Sequence, residues 1–131
     1  LTGPPVLAGV DVDMGSMSDV AQTLAAIAPF ASGEVRIRGV SHIRVKETDR
    51  VSAVTSELRR MGANVEEYAD GWRIVPSKLN PATVETYDDH RMAMSFAVTG
   101  LRASGIKIAN PGCVAKTFPD FFERFNALLD T

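Results

Sequence analysis

Arg44-Val45-Lys46-Glu47-Thr48-Asp49-Arg50 is the stretch around which the rest of the chain falls into order. Every side chain in it except Val45 carries a charge or a hydroxyl, and an apolar-periodic segment follows at once. Val51, Val54, Leu58 and Met61 recur at spacings of three and four, which predicts a helix from Thr48 or Asp49 to Gly62. The charged stretch therefore stands where a loop enters a helix. Unpaired backbone N–H groups and the positive end of the dipole favour phosphate or carboxylate there. Taken alone, charged residues before a helix are ordinarily a solvated cap. The rest of the chain has to decide.

Outward from that stretch, Val10-Asp11-Val12-Asp13 alternates as a short strand. A helix is expected from Ser18 or Asp19 toward Phe30, with Gln22 in capping-box spacing to Asp19 and Pro29 ending or kinking it. Glu34 to Arg38 alternates with one apolar and one basic face. Beyond the central helix, Asn64 to Tyr68 and Trp72 to Val75 flank Ala69-Asp70-Gly71 as a hairpin, with Trp72 as its anchor. Thr83 to Thr86 then reads as a strand and Asp89 to Leu101 as a buried helix with Met92, Met94 and Phe96 in the core. Ile106 to Ala109 is a further strand. Thr117 is expected to open a last helix, with Asp120 at its capping-box position.

The two parts correspond. Asp19 precedes Lys46 by the same interval as Asp89 precedes Lys116. Each aspartate opens a predicted helix, and each lysine lies just before a predicted helix that starts at threonine. Two strand–helix–strand–helix copies would bring these ends to one side of the domain. The fold class is read as α+β, built of βαβαββ-type units at about 6–78 and 79–131. The second copy lacks a clear final hairpin.

Composition sets limits. A chain of 131 residues is long enough for one domain, burying about two-thirds of its unfolded surface. A formal charge of −2 gives no basic footprint for nucleic acid, so local basic clusters would serve small anions. Cys113 is the single cysteine, which excludes a disulfide framework and a cysteine metal cluster and fits a reducing, cytoplasmic compartment. No apolar run approaches the ~20 residues of a membrane span, and no signal peptide is recognisable. The opening Leu1-Thr2-Gly3-Pro4-Pro5, without methionine, reads as a piece of a longer protein.

Lys46 to Arg50 (KETDR), Asp88 to Met94 (DDHRMAM) and Ala115 to Phe122 (AKTFPDFF) resemble the signatures of the 5-enolpyruvylshikimate-3-phosphate synthase family, the 3-phosphoshikimate 1-carboxyvinyltransferases. Met17 to Leu24, with Asp19, resembles a fourth, and the order along the chain is the family's. The resemblance implies the enolpyruvyl transferase fold, of which this chain would supply about two units of the C-terminal lobe. It also implies transfer of the enolpyruvyl group of phosphoenolpyruvate to the 5-hydroxyl of shikimate 3-phosphate, with release of phosphate. No metal or organic cofactor is implied. The partners implied are these two small molecules and a missing N-terminal lobe.

Residue by residue, the resemblance makes Asp19 the base at the 5-hydroxyl and a ligand of shikimate 3-phosphate. A helix start favours negative charge there, although aspartate is also favoured as a plain N-cap. Lys46 would bind the same substrate. His42 stands where the family often has asparagine, and an ordinary loop histidine is an equal reading. Arg50, Arg91 and Lys116 would hold phosphoenolpyruvate, whose phosphate and carboxylate suit guanidinium forks. Arg50 could instead pair with Glu47 or Asp49, and Arg91 could be a surface residue, although a guanidinium buried on so apolar a helix would need an anion. Glu47 and Lys116 are both candidates for the proton on the methylene carbon, and His90 is a hydrogen-bond partner in the site. Cys113 is read as packing near Lys116, without a base to make it a nucleophile.

Two rivals remain. UDP-N-acetylglucosamine enolpyruvyl transferase shares the fold and chemistry, but the quoted motifs do not resemble its own. The other is a non-catalytic, anion-binding lobe. On either enzymatic reading the piece alone is expected to be inactive, with at most weak affinity for phosphoenolpyruvate.

Overall fold

Strands β1 (Val10–Asp13) and β2 (Val35–Arg38) pair in parallel, joined through helix α1 (Ala21–Ile27), in the computed structural model, which describes residues 2–130. Leu1, in the opening read as internal to a longer protein, and Thr131, at the end of the second expected unit, lie outside the described residues. The alternation read in β2 is the one observed: Val35 and Ile37 are buried, while Arg36 and Arg38 take the other face. Helix α2 (Arg50–Arg60) follows, then β3 (Asn64–Tyr68) and β4 (Gly71–Val75). Their hairpin completes a sheet of order β1-β2-β4-β3. A Cβ on Gly71 would collide with the Ile37 carbonyl oxygen, so this turn needs glycine.

A second, two-stranded sheet pairs β5 (Ala82–Val84) with β6 (Ile106–Ile108) in parallel. Helix α3 (His90–Thr99) lies between them in sequence and α4 (Phe121–Leu129) comes last. The chain therefore runs βαβαββ and then βαβα, an α+β fold in which the strand–helix–strand–helix order is repeated.

Helix α2 ends as its sequence predicts. Met61 is the C-cap and Gly62 turns left-handed at φ 88°; Gly62 N donates to Arg59 O and Ala63 N to Leu58 O. These are the two bonds of a Schellman motif. The inward face of α2 (Val51, Val54, Leu58) packs on Ile37, Trp72 and Ile74. Trp72 is fully buried, and its indole N–H donates to Val51 O at 3.0 Å, tying hairpin to helix. The two units meet where α1 packs against α3. Ala21, Ala25 and Ala26 are small enough to let the helices approach. Thr99 Oγ1 donates to Ala26 O at 2.8 Å, and the hydroxyls of Thr23 and Ser95 lie 3.0 Å apart.

Two helix starts differ from expectation. Asp19 does not open a helix: Gly15–Val20 is a 3-10 segment and α1 begins only at Ala21, after a Val20 cap with no side-chain bond. Gln22 is fully buried, with its amide on Met92 Sδ at 3.1 Å, so it cannot close a capping box. Thr117 likewise follows a 3-10 segment, Pro111–Lys116, and α4 starts at Phe121. At both places a preference for capping residues is overridden by packing.

Candidate active site

The charged loop is held from below by Arg44. Its guanidinium donates to both oxygens of Asp49, at 3.2 and 2.9 Å, to Glu67 Oε2 at 2.9 Å, and to the carbonyls of Tyr68 and Ala69. Asp49 in turn accepts from Ser52 N at 3.0 Å and caps α2, which starts the helix where its sequence predicts. The loop is thereby fixed to the hairpin on one side and to α2 on the other. Lys46 and Glu47 are turned outward and exposed.

Arg50, the first residue of α2, is only 3% exposed and joins the two units. Its Nε donates to Asp89 Oδ2 at 2.8 Å and its Nη2 to Asp89 Oδ1 at 3.3 Å. Asp89 is fully buried, and its Oδ1 also accepts from Arg91 N at 2.8 Å, capping α3. Glu47 accepts from Arg50 Nη2, and Asp19 Oδ1 lies 3.9 Å from Nη1. The pairing within its own loop that the sequence offered is thus only part of what Arg50 does. Breaking a buried pair of this kind leaves an uncompensated charge and costs about 3–5 kcal/mol.

Arg91 and Asp19 face each other beside this pair. Arg91 Nη2 is 3.6 Å from Asp19 Oδ2, and Nη1 donates to Asp19 O at 3.3 Å. Arg91 is not a buried guanidinium, for 34% of its side chain is exposed; Asp19 is more open, at 61%. The Asp19 carboxylate is thus held by arginines and not by a helix start. Lys116, at the end of the Pro111–Lys116 segment, lies 3.1 Å from Asp88 Oδ2, with both groups exposed. Cys113 is buried in that segment, and its Sγ meets Asp89 O at 3.6 Å, as a packing residue would. His90 is nearly buried, and its Nδ1 has no hydrogen-bond partner.

Asp19, Glu47, Arg50 and Arg91 are therefore brought together, with His90 next to Asp89 in the chain and Lys116 tied to the residue before it. Lys46 and His42 are exposed and make no hydrogen bond or ion pair among the described residues. Three residues were missed by the sequence reading. Asp89 was read as a helix opener only, and its partner lies 39 residues away, beyond the reach of any local pattern. Asp88 and Glu57 were not singled out, although Glu57 left a signal: an acid beside Leu58 on the apolar face of α2.

Chemically, the site offers cations that already hold carboxylates of the chain itself. Exposed pairs such as Arg91–Asp19 and Lys116–Asp88 are worth about 0–1 kcal/mol, so an incoming anion can exchange with them at little cost. Arg50–Asp89 is the fixed part. Among the described residues, no group of three or more His, Cys, Asp or Glu could hold a metal ion, and no helix is long and apolar enough to cross a membrane.

A model of the EPSP synthase (3-phosphoshikimate 1-carboxyvinyltransferase) family matches residues 2–125. The 3-phosphoshikimate 1-carboxyvinyltransferase of Nostoc sp. is 61% identical over 128 residues, which is 98% of this chain and 30% of the relative. That of Edwardsiella ictaluri is 50% identical over 123 residues, 93% of this chain and 29% of the relative. Among solved structures, an EPSP synthase from Acinetobacter baumannii superimposes with a TM-score of 0.84 at 32% identity, covering 93% of this chain and 30% of that one. The chain thus spans about 30% of the length of the relatives it matches.

Proposed function

The chain belongs to the EPSP synthase (3-phosphoshikimate 1-carboxyvinyltransferase) family, and on that premise we propose that it supplies half of a site that moves the enolpyruvyl group of phosphoenolpyruvate to the 5-hydroxyl of shikimate 3-phosphate. The observation that carries this reading is the convergence of Asp19, Glu47, Arg50 and Arg91 around the buried Arg50–Asp89 pair, from both units of the fold.

Arg50 Nη1, Arg91 and Lys116 receive phosphoenolpyruvate, exchanging chain carboxylates for the carboxylate and the phosphate of the ligand. Lys46 takes shikimate 3-phosphate, and His42 stands at the edge of the same site. Asp19, exposed and without a cap to serve, accepts the proton of the 5-hydroxyl as its oxygen bonds to C2 of phosphoenolpyruvate. The methylene carbon takes a proton in that step, giving a tetrahedral intermediate. Lys116, an ammonium, is suited to supply it. In the second step the C2–O bond to phosphate breaks, phosphate leaves, and the new methyl group loses a proton. Glu47, whose carboxylate already accepts from Arg50, is suited to receive that one. His90 is a hydrogen-bond partner in the site on this reading, and its buried Nδ1, unpaired among the described residues, is the atom that would serve.

The remainder of the parent protein completes the site and, on closure, excludes water. The 131-residue chain alone is inactive on this reading. A cytoplasmic setting suits its single, buried, unpaired cysteine. The test is to join this chain to the N-terminal portion of the Nostoc relative in place of that protein's own C-terminal segment. Phosphate release is then followed with phosphoenolpyruvate and either shikimate 3-phosphate or UDP-N-acetylglucosamine. Release with shikimate 3-phosphate alone is expected. Release with the nucleotide sugar, or none from a folded joined protein, contradicts the proposal.

A further inference from the structure

The residues just before Asp89 hold a conformation that side chains disfavour. Tyr87 and Asp88 both have positive φ, 57° and 53°. Any residue with a Cβ resists this left-handed region, and successive cases persist only where surrounding contacts impose them. Asp89 then returns to extended backbone at φ −113° and α3 begins. If this turn relaxed, Asp88, Asp89, His90 and Arg91 would move together.

Helix α2 supplies contacts on both sides of it. Glu57 is fully buried there, two helical turns after Arg50 and on the same side of the helix. Its Oε1 accepts from Glu85 N at 2.9 Å and its Oε2 from the Tyr87 hydroxyl at 2.7 Å. Arg60 balances the charge, with Nε 3.1 Å from Oε1. At the far end of the turn Arg50 holds Asp89. One face of α2 therefore grips the turn on both sides. A buried carboxylate is costly where packing alone is needed, and a leucine would fill the core without that cost. Tyr87 itself is 41% exposed, so its ring is not a core-filling group.

We propose that Glu57 and Tyr87 are positioning residues, which hold the left-handed turn and so place Asp88, Asp89, His90 and Arg91 for anion binding. The part that concerns binding rests on the enolpyruvyl-transfer reading above; the part that concerns the turn does not. Burial first, and then the bond to Glu57, push the Tyr87 hydroxyl up to about 12, so it remains a donor throughout the working range of pH.

Two readouts test this. In the chain itself, Tyr87→Phe is expected to speed amide exchange at Asp89 and Arg91 about tenfold while global stability changes little. Their N–H groups bond to Thr86 O and Asp89 Oδ1, across the turn. In the joined protein, the same variant is expected to raise KM for phosphoenolpyruvate about tenfold, with kcat within about threefold. Glu57→Gln keeps an oxygen for Glu85 N and turns its amide N–H toward the Tyr87 hydroxyl, which then accepts, so this variant is expected to stay within about threefold of the parent on both readouts. Glu57→Ala is expected to lose at least as much as Tyr87→Phe. Unchanged exchange in Tyr87→Phe overturns the clamp, and a lowered melting point with unchanged KM reduces it to ordinary packing. Should the unmutated joined protein release no phosphate, the functional reading fails, and the exchange experiment still decides the clamp.

Discussion

Asp19 and Asp89 occupy corresponding places in the repeat, yet the fold uses them in opposite ways. Asp89 is fully buried, caps α3 and pairs with the guanidinium of Arg50. Asp19 caps nothing, stands in a 3-10 segment with 61% of its side chain exposed, and meets its arginines at 3.6 and 3.9 Å. The lysines diverge in parallel: Lys116 is held by Asp88, whereas Lys46 has no partner among the described residues. Position in a repeat fixes where a side chain stands. Burial decides whether it is held as a cornerstone or left open to solvent.

The largest effect expected from this contrast is on stability. Asp89→Ala leaves Arg50 without its one buried partner and should cost about 3–5 kcal/mol in urea unfolding. A loss below 1 kcal/mol would break the comparison at its buried end. Next is Lys46→Ala in the joined protein. On the proposed role of Lys46, removal of one charge-assisted bond to a phosphate should cost about 1.5–3 kcal/mol, seen as a ten- to hundredfold higher KM for shikimate 3-phosphate. Unfolding should not change, since this lysine holds nothing.

Asp70 gives the scale for an exposed carboxylate that does have partners. The Gly39 backbone N–H, followed by Arg36, holds its carboxyl below the usual carboxylate range against the opposing effect of burial. A depressed folded pKa means that the stabilisation is present above the unfolded value of about 4 and is lost as pH falls through the folded value. With 43% of the side chain exposed, screening keeps it to no more than about 0.5 kcal/mol. Asp70→Asn should flatten the acid limb of the stability profile below about pH 4 and leave neutral stability within that margin. An unchanged acid limb would remove Asp70 as a reference.

Much of this was legible in the residues. Period-two runs gave the strands, Gly62 marked the end of α2, and the two matched Asp–Lys intervals pointed to the repeated order. The charged motif was correctly placed at a helix entrance. What escaped was set by contacts distant in sequence. Asp19 resembles an N-cap in every local respect, and only Arg91, on a helix of the second unit, shows why it stands free of α1. Of the partners of Arg50, Glu47 is offered by its own loop, whereas the buried one, Asp89, lies on the other unit. Glu57 shows in the sequence only as an acid on the apolar face of α2, and its partners Glu85 and Tyr87 lie 28 and 30 residues on.

The measurement that bears most directly on the contrast is Asp19→Asn in the joined protein, with turnover and melting temperature read on the same preparation. Turnover should fall about 100- to 10,000-fold, the worth of a positioned base. The melting point should stay within about 2 °C, because an exposed pair contributes little to stability. Near-normal turnover, or a melting point that collapses with it, would contradict the account of Asp19 as the free and reactive member of the two.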